Sequence, residues 1–131
     1  MNWKYFVPAV VFVMLLLVGC ATPKNQAAGY RQITMAEAVS VMEEETGYVI
    51  LDVRTEEEFV QKHIPGAINV PNEEISTAAI PDLPDKEQLI LVYCRSGNRS
   101  KQASEKLATL GYTNIVEFGG INDWPGDTVS E

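Results

Sequence analysis

Short apolar runs alternate with amphipathic segments along most of this chain. The apolar runs, rich in β-branched residues, lie at 48–53, 67–70, 88–93 and 114–118. Segments following 34, 55 and 99 place apolar residues at helical spacing, and 72–80 is also predicted to be helical. Strands that alternate with helices predict an α/β fold, with a parallel sheet covered by helices on both faces. Binding sites in such sheets lie beyond the carboxyl ends of the strands.

Two of the predicted helices begin with the same local signal. Thr34 is followed three residues later by Glu37, and Thr55 by Glu58, which is the pattern of a capping box. In each pair, the threonine hydroxyl accepts a hydrogen bond from the backbone N–H of the glutamate, and the glutamate carboxylate accepts one from the backbone N–H of the threonine. We therefore expect helices to start at both places.

The first residues differ in composition from the rest of the chain. Residues 5–18 are almost wholly apolar, follow Lys4 and run into the sequence LVGC, which resembles the lipobox of bacterial lipoproteins. That resemblance implies cleavage before Cys20, lipid on Cys20 and export to a bacterial membrane, at its periplasmic face or the cell surface. We expect a signal peptide over 1–19, a flexible tether over 20–29 and one domain over 30–131. A plain secretory signal and a transmembrane anchor are the alternatives.

Charge is distributed unevenly in this acidic chain. The formal net charge is −8, which argues against a nucleic-acid partner. The sign reverses between residues 94 and 106, which hold Arg95, Arg99, Lys101 and Lys106 against one carboxylate, Glu105. If Cys20 is lipidated, Cys94 is the only free thiol, and it lies at the start of this positive segment.

The stretch CRSGNRS, which follows the most apolar predicted strand, has the composition of an anion-binding loop. Backbone N–H groups at the start of a helix converge on an anion, and Gly97 permits a sharp turn. Positive surroundings favour the thiolate of Cys94, which is the predicted nucleophile. No metal and no cofactor are predicted. The candidate substrate-binding residues are Arg95, Ser96, Gly97, Asn98, Arg99 and Ser100.

The length of this loop separates two kinds of cysteine chemistry. Cysteine phosphatases place an arginine six positions after the cysteine, but here that position is Ser100, and Arg99 falls one residue earlier. The shorter loop disfavours a phosphatase or an arsenate reductase and suits a cysteine that bears one extra sulfur.

Three stretches together resemble the single-domain rhodaneses, which are sulfurtransferases. They are LDVRTEEEFVQKHIPGAINVP (51–71), VYCRSGNRS (92–100) and GGINDW (119–124). The resemblance implies a five-stranded parallel sheet and a persulfide on Cys94. It also implies an anionic sulfur donor, such as thiosulfate, and a thiophilic acceptor, such as cyanide or a thiol. Because the chain ends soon after Trp124, we expect the family's final helix to be shortened.

Other polar residues in these stretches are predicted to support the structure. We expect Asp52, Arg54 and Glu58 to brace the first strand against the following helix, and His63, the only histidine, to brace a turn. A catalytic role for the charged residues, and one for His63 as a base, are the alternatives. A second function stays open for the whole chain: a non-catalytic, membrane-tethered module that binds or senses an anion or a sulfide.

Overall fold

The computed structural model describes residues 26–27 and 29–131. The predicted signal peptide and Cys20 lie outside the described residues. The strands are β1 (Gln26–Ala27), β2 (Tyr30–Gln32), β3 (Val49–Asp52), β4 (Ile68–Asn69), β5 (Ile90–Cys94) and β6 (Ile115–Gly120). The helices are α1 (Met35–Glu44), α2 (Glu56–Gln61) and α3 (Asn98–Thr109), with 3₁₀ turns at Asn72–Glu74 and Ile121–Asp123.

The strands form one sheet in the order β1-β2-β6-β5-β3-β4. Five of them, β2 to β6, are parallel, and β1 adds an antiparallel edge to β2. The predicted α/β fold with a five-stranded parallel sheet is therefore confirmed. Strand β1 falls within the predicted tether, so sheet pairing extends into that segment.

A separate hydrophobic cluster covers each face of the sheet. Leu107 of α3 packs on one face with Leu51 and Val92, and Phe59 of α2 packs on the other with Leu91 and Tyr93. All five residues of β5 are buried, because this strand lies between β3 and β6 and is covered on both faces. The end of β5 is consequently a fixed platform for the loop that follows.

Both predicted capping boxes are present. Thr34 accepts the N–H of Glu37 at the start of α1, and Thr55 accepts that of Glu58 at the start of α2. None of the helices among the described residues is both long and apolar enough to cross a membrane.

The helix predicted over residues 72–80 is wrong. Only Asn72–Glu74 forms a 3₁₀ turn. Ile75 and Ile80 are both buried in the same cluster. Residues five apart are about 140° apart around a helix axis, so one continuous helix would not direct both side chains to the core.

Candidate active site

The thiol of Cys94 lies at the last position of the central strand β5. The residue is 1% exposed, and the N–H of Gly97 donates to its Sγ at 3.0 Å. The Sγ also lies 3.4 Å from Oγ of Ser100. The chain therefore folds back over the sulfur within six residues and contacts it from two sides.

Gly97 makes this return possible. It has φ of 114°, a left-handed conformation that favours glycine, and it is the N-cap of α3. No side chain caps α3, whose first residue is Asn98. The amides of its first turn thus remain available to an anion, and the helix dipole adds partial positive charge there.

The end of β6 packs against the start of the loop, at Arg95 and Ser96. A Cβ built on Gly120 would lie 2.0 Å from the carbonyl oxygen of Arg95 and 2.5 Å from the nitrogen of Ser96. The same carbonyl accepts the N–H of Asn122 at 3.2 Å. Only glycine fits at position 120, which gives a physical reason for the second glycine of the GGINDW stretch.

Ser100 connects the sulfur to a buried carboxylate. Its Oγ lies 2.7 Å from Oε1 of Glu117, on β6, and the same oxygen accepts the N–H of Gly119 at 2.9 Å. Ser100 is 0% exposed and Glu117 is 3% exposed. Cys94, Ser100 and Glu117 therefore form a continuous polar cluster between β5, α3 and β6.

An open cavity lies beside the loop. Its volume is about 160 Å³, and its lining residues are Arg54, Glu58, Gln61, Lys62, Arg95, Ile121 and Asn122. Three of these side chains are cationic, against one carboxylate. The cavity suits a small anion, and Arg95 is the loop residue that lines it.

Arg99 is engaged away from the sulfur. Its guanidinium forms a two-point ion pair with Glu58 on α2, at 2.6 and 3.0 Å. The hydrogen bonds from Arg99 lower the pKa of Glu58 from 4.5 to about 2. Glu58, predicted to brace β3 together with Arg54, instead joins α2 to the start of α3.

Asp52 and Arg54 form a buried ion pair at the end of β3. Nη2 of Arg54 lies 2.6 Å from Oδ2 of Asp52 and also donates to the carbonyl of Lys62, at the end of α2. The two side chains are 4% and 0% exposed. Burial, followed by the charge of Asp52, raises the pKa of the neighbouring Tyr93. The pair therefore links strand to helix.

His63 is occupied by the structure around it. Its Nδ1 lies 2.8 Å from the carbonyl of Phe59, and its ring stacks on the Phe59 ring at 3.8 Å. Its backbone pairs with Val129. These contacts belong to a turn brace, and none of them reaches Cys94.

The predicted loop residues thus differ in their positions. Gly97 and Ser100 contact the sulfur of Cys94, while Arg95, Ser96 and Asn98 are exposed. Glu117 was not among the site residues predicted from the sequence. A signal was present, because Glu117 is the one charged residue in an otherwise apolar run, IVEFGG.

Comparison with known proteins assigns the chain to a family. The Rhodanese-like domain model matches residues 34–127, which span the thiol, the loop and the cluster around them. The chain belongs to this family. The sequence resemblance to rhodaneses is confirmed at this level, and the signal-peptide part of the prediction lies outside the described residues.

Individual rhodanese relatives agree with this assignment. Thiosulfate sulfurtransferase PspE of Escherichia coli is 41% identical over 56% of this chain and 70% of its own length. The chain matches 23% of the length of adenylyltransferase and sulfurtransferase UBA4 of Candida albicans, at 35% identity over 70% of the chain. A solved structure described as a rhodanese with anions from E. coli is 37% identical, with a TM-score of 0.59 over 64% of this chain and 99% of that one.

Proposed function

We propose that this rhodanese-like chain moves a sulfane sulfur from thiosulfate, or a similar anionic donor, to a thiophilic acceptor such as cyanide or a thiol. The observation that supports this best is the position of Cys94 Sγ. It lies at the uncapped start of α3 and accepts the N–H of Gly97 at 3.0 Å. The relatives described above, a thiosulfate sulfurtransferase and a rhodanese with anions, agree with it.

The reaction has two steps through one covalent intermediate. In the first, the Cys94 thiolate attacks the outer sulfur of the donor, a new S–S bond forms, and sulfite leaves with the electron pair of the broken bond. In the second, the acceptor attacks the outer sulfur of the persulfide, and the Cys94 thiolate is released. Charge balances in both steps, and no external oxidant or reductant is needed.

The residues of the loop have separate parts in this proposal. The amides at the start of α3 stabilise the anionic outer sulfur. Arg95, which lines the cationic cavity, attracts the donor and the departing sulfite. Arg99, bound to Glu58, contributes through the local field and fixes α2 against the loop.

We further propose that the protein is exported and anchored to a bacterial membrane through lipid on Cys20. Support comes from the sequence LVGC after an apolar run. The lipid would hold the domain at the membrane, where small anions and thiols would reach the loop.

One mass measurement tests both parts of the proposal. The protein is extracted from the membrane of a bacterial host, treated with thiosulfate and compared with Cys94→Ser. We expect a gain of one sulfur, about 32 Da, that cyanide removes and the variant does not show. The same spectrum is expected to show loss of residues 1–19 and the added mass of lipid on Cys20.

A different outcome would favour the alternative function. If neither thiosulfate nor a polysulfide adds sulfur to Cys94, the chain is a tethered module that binds or senses anions. If the polysulfide alone adds sulfur, only the donor is wrong.

A further inference from the structure

Glu117 is a buried carboxylate for which the proposed reaction has no role. It is 3% exposed, and its Oε1 accepts from Ser100 and from the N–H of Gly119. The ion pairs found in residues 29–131 are Arg54 with Asp52 and Arg99 with Glu58, so neither includes Glu117. A buried carboxylate without a cation exerts a strong field on its neighbours.

The hydroxyl of Ser100 transmits this influence to the sulfur. It has one hydrogen and three acceptors in reach: Glu117 Oε1 at 2.7 Å, Gly97 O at 2.9 Å and Gly119 O at 3.4 Å. Its oxygen in turn accepts from Cys94 Sγ at 3.4 Å. The carboxylate is the closest and the only charged oxygen among them, so it takes the hydrogen. Oxygen lone pairs of Ser100 then face Sγ. The Ser100 hydroxyl can therefore accept a hydrogen bond from the thiol form of Cys94, but it donates none to the thiolate form.

Other charged groups around the cluster act on the same sulfur. Arg99 on α3 has a pKa raised mainly by its bond to Glu58 on α2 and in smaller part by Cys94. Arg95 in the loop is exposed, which weakens its effect. On β2, burial is the largest cause that raises the pKa of Tyr30, and the charge of Glu117 adds to it. The cations, Arg95 and Arg99, thus belong to the loop and the start of α3, whereas Glu117 lies on β6 in the interior of the domain.

We propose that Glu117 is a positioning residue that acts through Ser100 to disfavour negative charge on Cys94 Sγ, and so favours the persulfide over the free thiolate. This rests on the proposed function. In the thiolate the charge is on Sγ, within about 6 Å of the carboxylate. In the persulfide the charge moves to the outer sulfur, which is bonded about 2 Å beyond Sγ. Since Ser100 and Gly97 occupy the inner side, the outer sulfur extends toward the loop amides and away from Glu117.

The size of the effect follows from the distance. Two charges about 6 Å apart at an effective dielectric constant of about 20 change an equilibrium roughly a hundredfold. Moving one of the charges about 2 Å further away reduces this hundredfold factor roughly threefold. Glu117 should therefore alter the ionisation of Cys94 strongly and the loading equilibrium modestly.

The first experiment measures alkylation of the peptide that contains Cys94 by iodoacetamide, in the full chain, as a function of pH. Glu117→Gln removes the charge and keeps an oxygen that accepts from Ser100. We expect its midpoint to fall by about 1–2 pH units below that of the unaltered protein. Glu105→Gln, on the exposed side of α3, is the matched control and should leave the midpoint in place. An unchanged or higher midpoint in Glu117→Gln overturns the proposal.

A second variant separates charge from packing. Glu117→Asp keeps the negative charge, but its shorter side chain no longer reaches the Ser100 hydroxyl. The midpoint of its alkylation curve should stay within about 0.5 pH unit of that of the unaltered protein. If the aspartate variant shifts as far as the glutamine variant, Glu117 has only a structural role and the proposal fails.

The loading equilibrium completes the test. At pH 9, with a fixed ratio of thiosulfate to sulfite, Glu117→Gln should retain about threefold less persulfide than the unaltered protein by intact mass. Equal retention would overturn the link to the persulfide. If the unaltered protein takes up no sulfur from any donor, the proposed function has failed, whereas the alkylation results still report the coupling between Glu117 and Cys94.

Discussion

Two buried carboxylates lie on the two strands that flank β5, and their surroundings differ. Asp52, at the end of β3, is paired with Arg54 at 2.6 Å, and that guanidinium also bonds the end of α2. Glu117, on β6, is held by a serine hydroxyl and a backbone amide. The first is a neutral pair, whose field is short-ranged and whose effect is to join elements. The second has no cation beside it in residues 29–131 and lies one hydroxyl away from the sulfur of Cys94.

This contrast suggests that buried charge serves two purposes in the domain. A complete ion pair fixes geometry, because removing either partner leaves an isolated charge in the core. A carboxylate without a cation adds little stability and instead biases the ionisation of its neighbours. Three changes test this contrast. One breaks the buried pair of Arg54 with Asp52, one weakens the partly exposed pair of Arg99 with Glu58, and one removes the buried hydroxyl of Ser104, which has no hydrogen-bond partner among the described residues.

The largest effect is expected from Arg54→Ala. This change leaves Asp52 buried without its cation and removes the bond to the Lys62 carbonyl. The free energy of unfolding should fall by about 3–5 kcal/mol in urea denaturation followed by circular dichroism. Arg31→Ala, an exposed arginine on β2, should cost at most about 0.5 kcal/mol. A loss near 1 kcal/mol for Arg54→Ala would mean that the pair does not brace the strand.

A smaller, pH-dependent effect is expected from Glu58→Gln. Glutamine can maintain the capping box with Thr55 but loses the charged bonds to Arg99. The folded pKa of Glu58 is about 2, below its ordinary 4.5. The pair therefore stabilises the fold fully above pH 4.5, and its contribution disappears as the pH falls toward 2.

Urea denaturation of Glu58→Gln at several pH values measures this dependence. At pH 7 we expect a loss of about 1 kcal/mol, because each side chain of the pair is 28% exposed and screened by solvent. Glu57→Gln, exposed on the same helix, is the control. A difference between Glu58→Gln and the unaltered protein that is as large at pH 2 as at pH 7 would argue against the ion pair as its source.

The smallest effect is expected one turn along α3 from Ser100. Ser104 is 0% exposed, and its Oγ has no hydrogen-bond partner among the residues described. Ser104→Ala should raise the free energy of unfolding by about 0.5 kcal/mol, since it removes an unsatisfied buried hydroxyl and favours the helix. A loss of stability would indicate a partner for this hydroxyl, and Ser100→Ala, which breaks observed bonds, is the contrasting variant.

Local signals in the sequence were sufficient for much of the fold. The capping boxes at Thr34 and Thr55 predicted the starts of α1 and α2, because the bonds that form them lie within four residues. Strand β5 was predicted from its apolar run, which is typical of a strand buried on both faces. Strand β2 was missed, since it is only three residues long and contains Arg31 and Gln32.

The site was predicted in part for a similar reason. Cys94, Gly97 and Ser100 lie within seven consecutive residues, so spacing along the chain was enough to propose them together. Arg99 was expected to face an anion, but its partner Glu58 is 41 positions away and became visible only through the packing of α2 against α3. Glu117 approaches Ser100 because β6 is the neighbour of β5, and strand order is a property of the whole sheet.

The close approach of Gly120 to the Arg95 carbonyl has a consequence for how loops of other lengths could evolve in this scaffold. With a Cβ excluded at 2.0 Å, the first residue after the cysteine is fixed by the end of β6. An extra residue would have to enter between Ser96 and Arg99, where the chain is largely exposed. It would widen the exposed part of the loop, while the contacts of the Arg95 carbonyl with Gly120 and Asn122 stayed in place. For the proposed function, single insertions on the outer side would therefore change the size of the anion that the loop binds, without rebuilding the sheet.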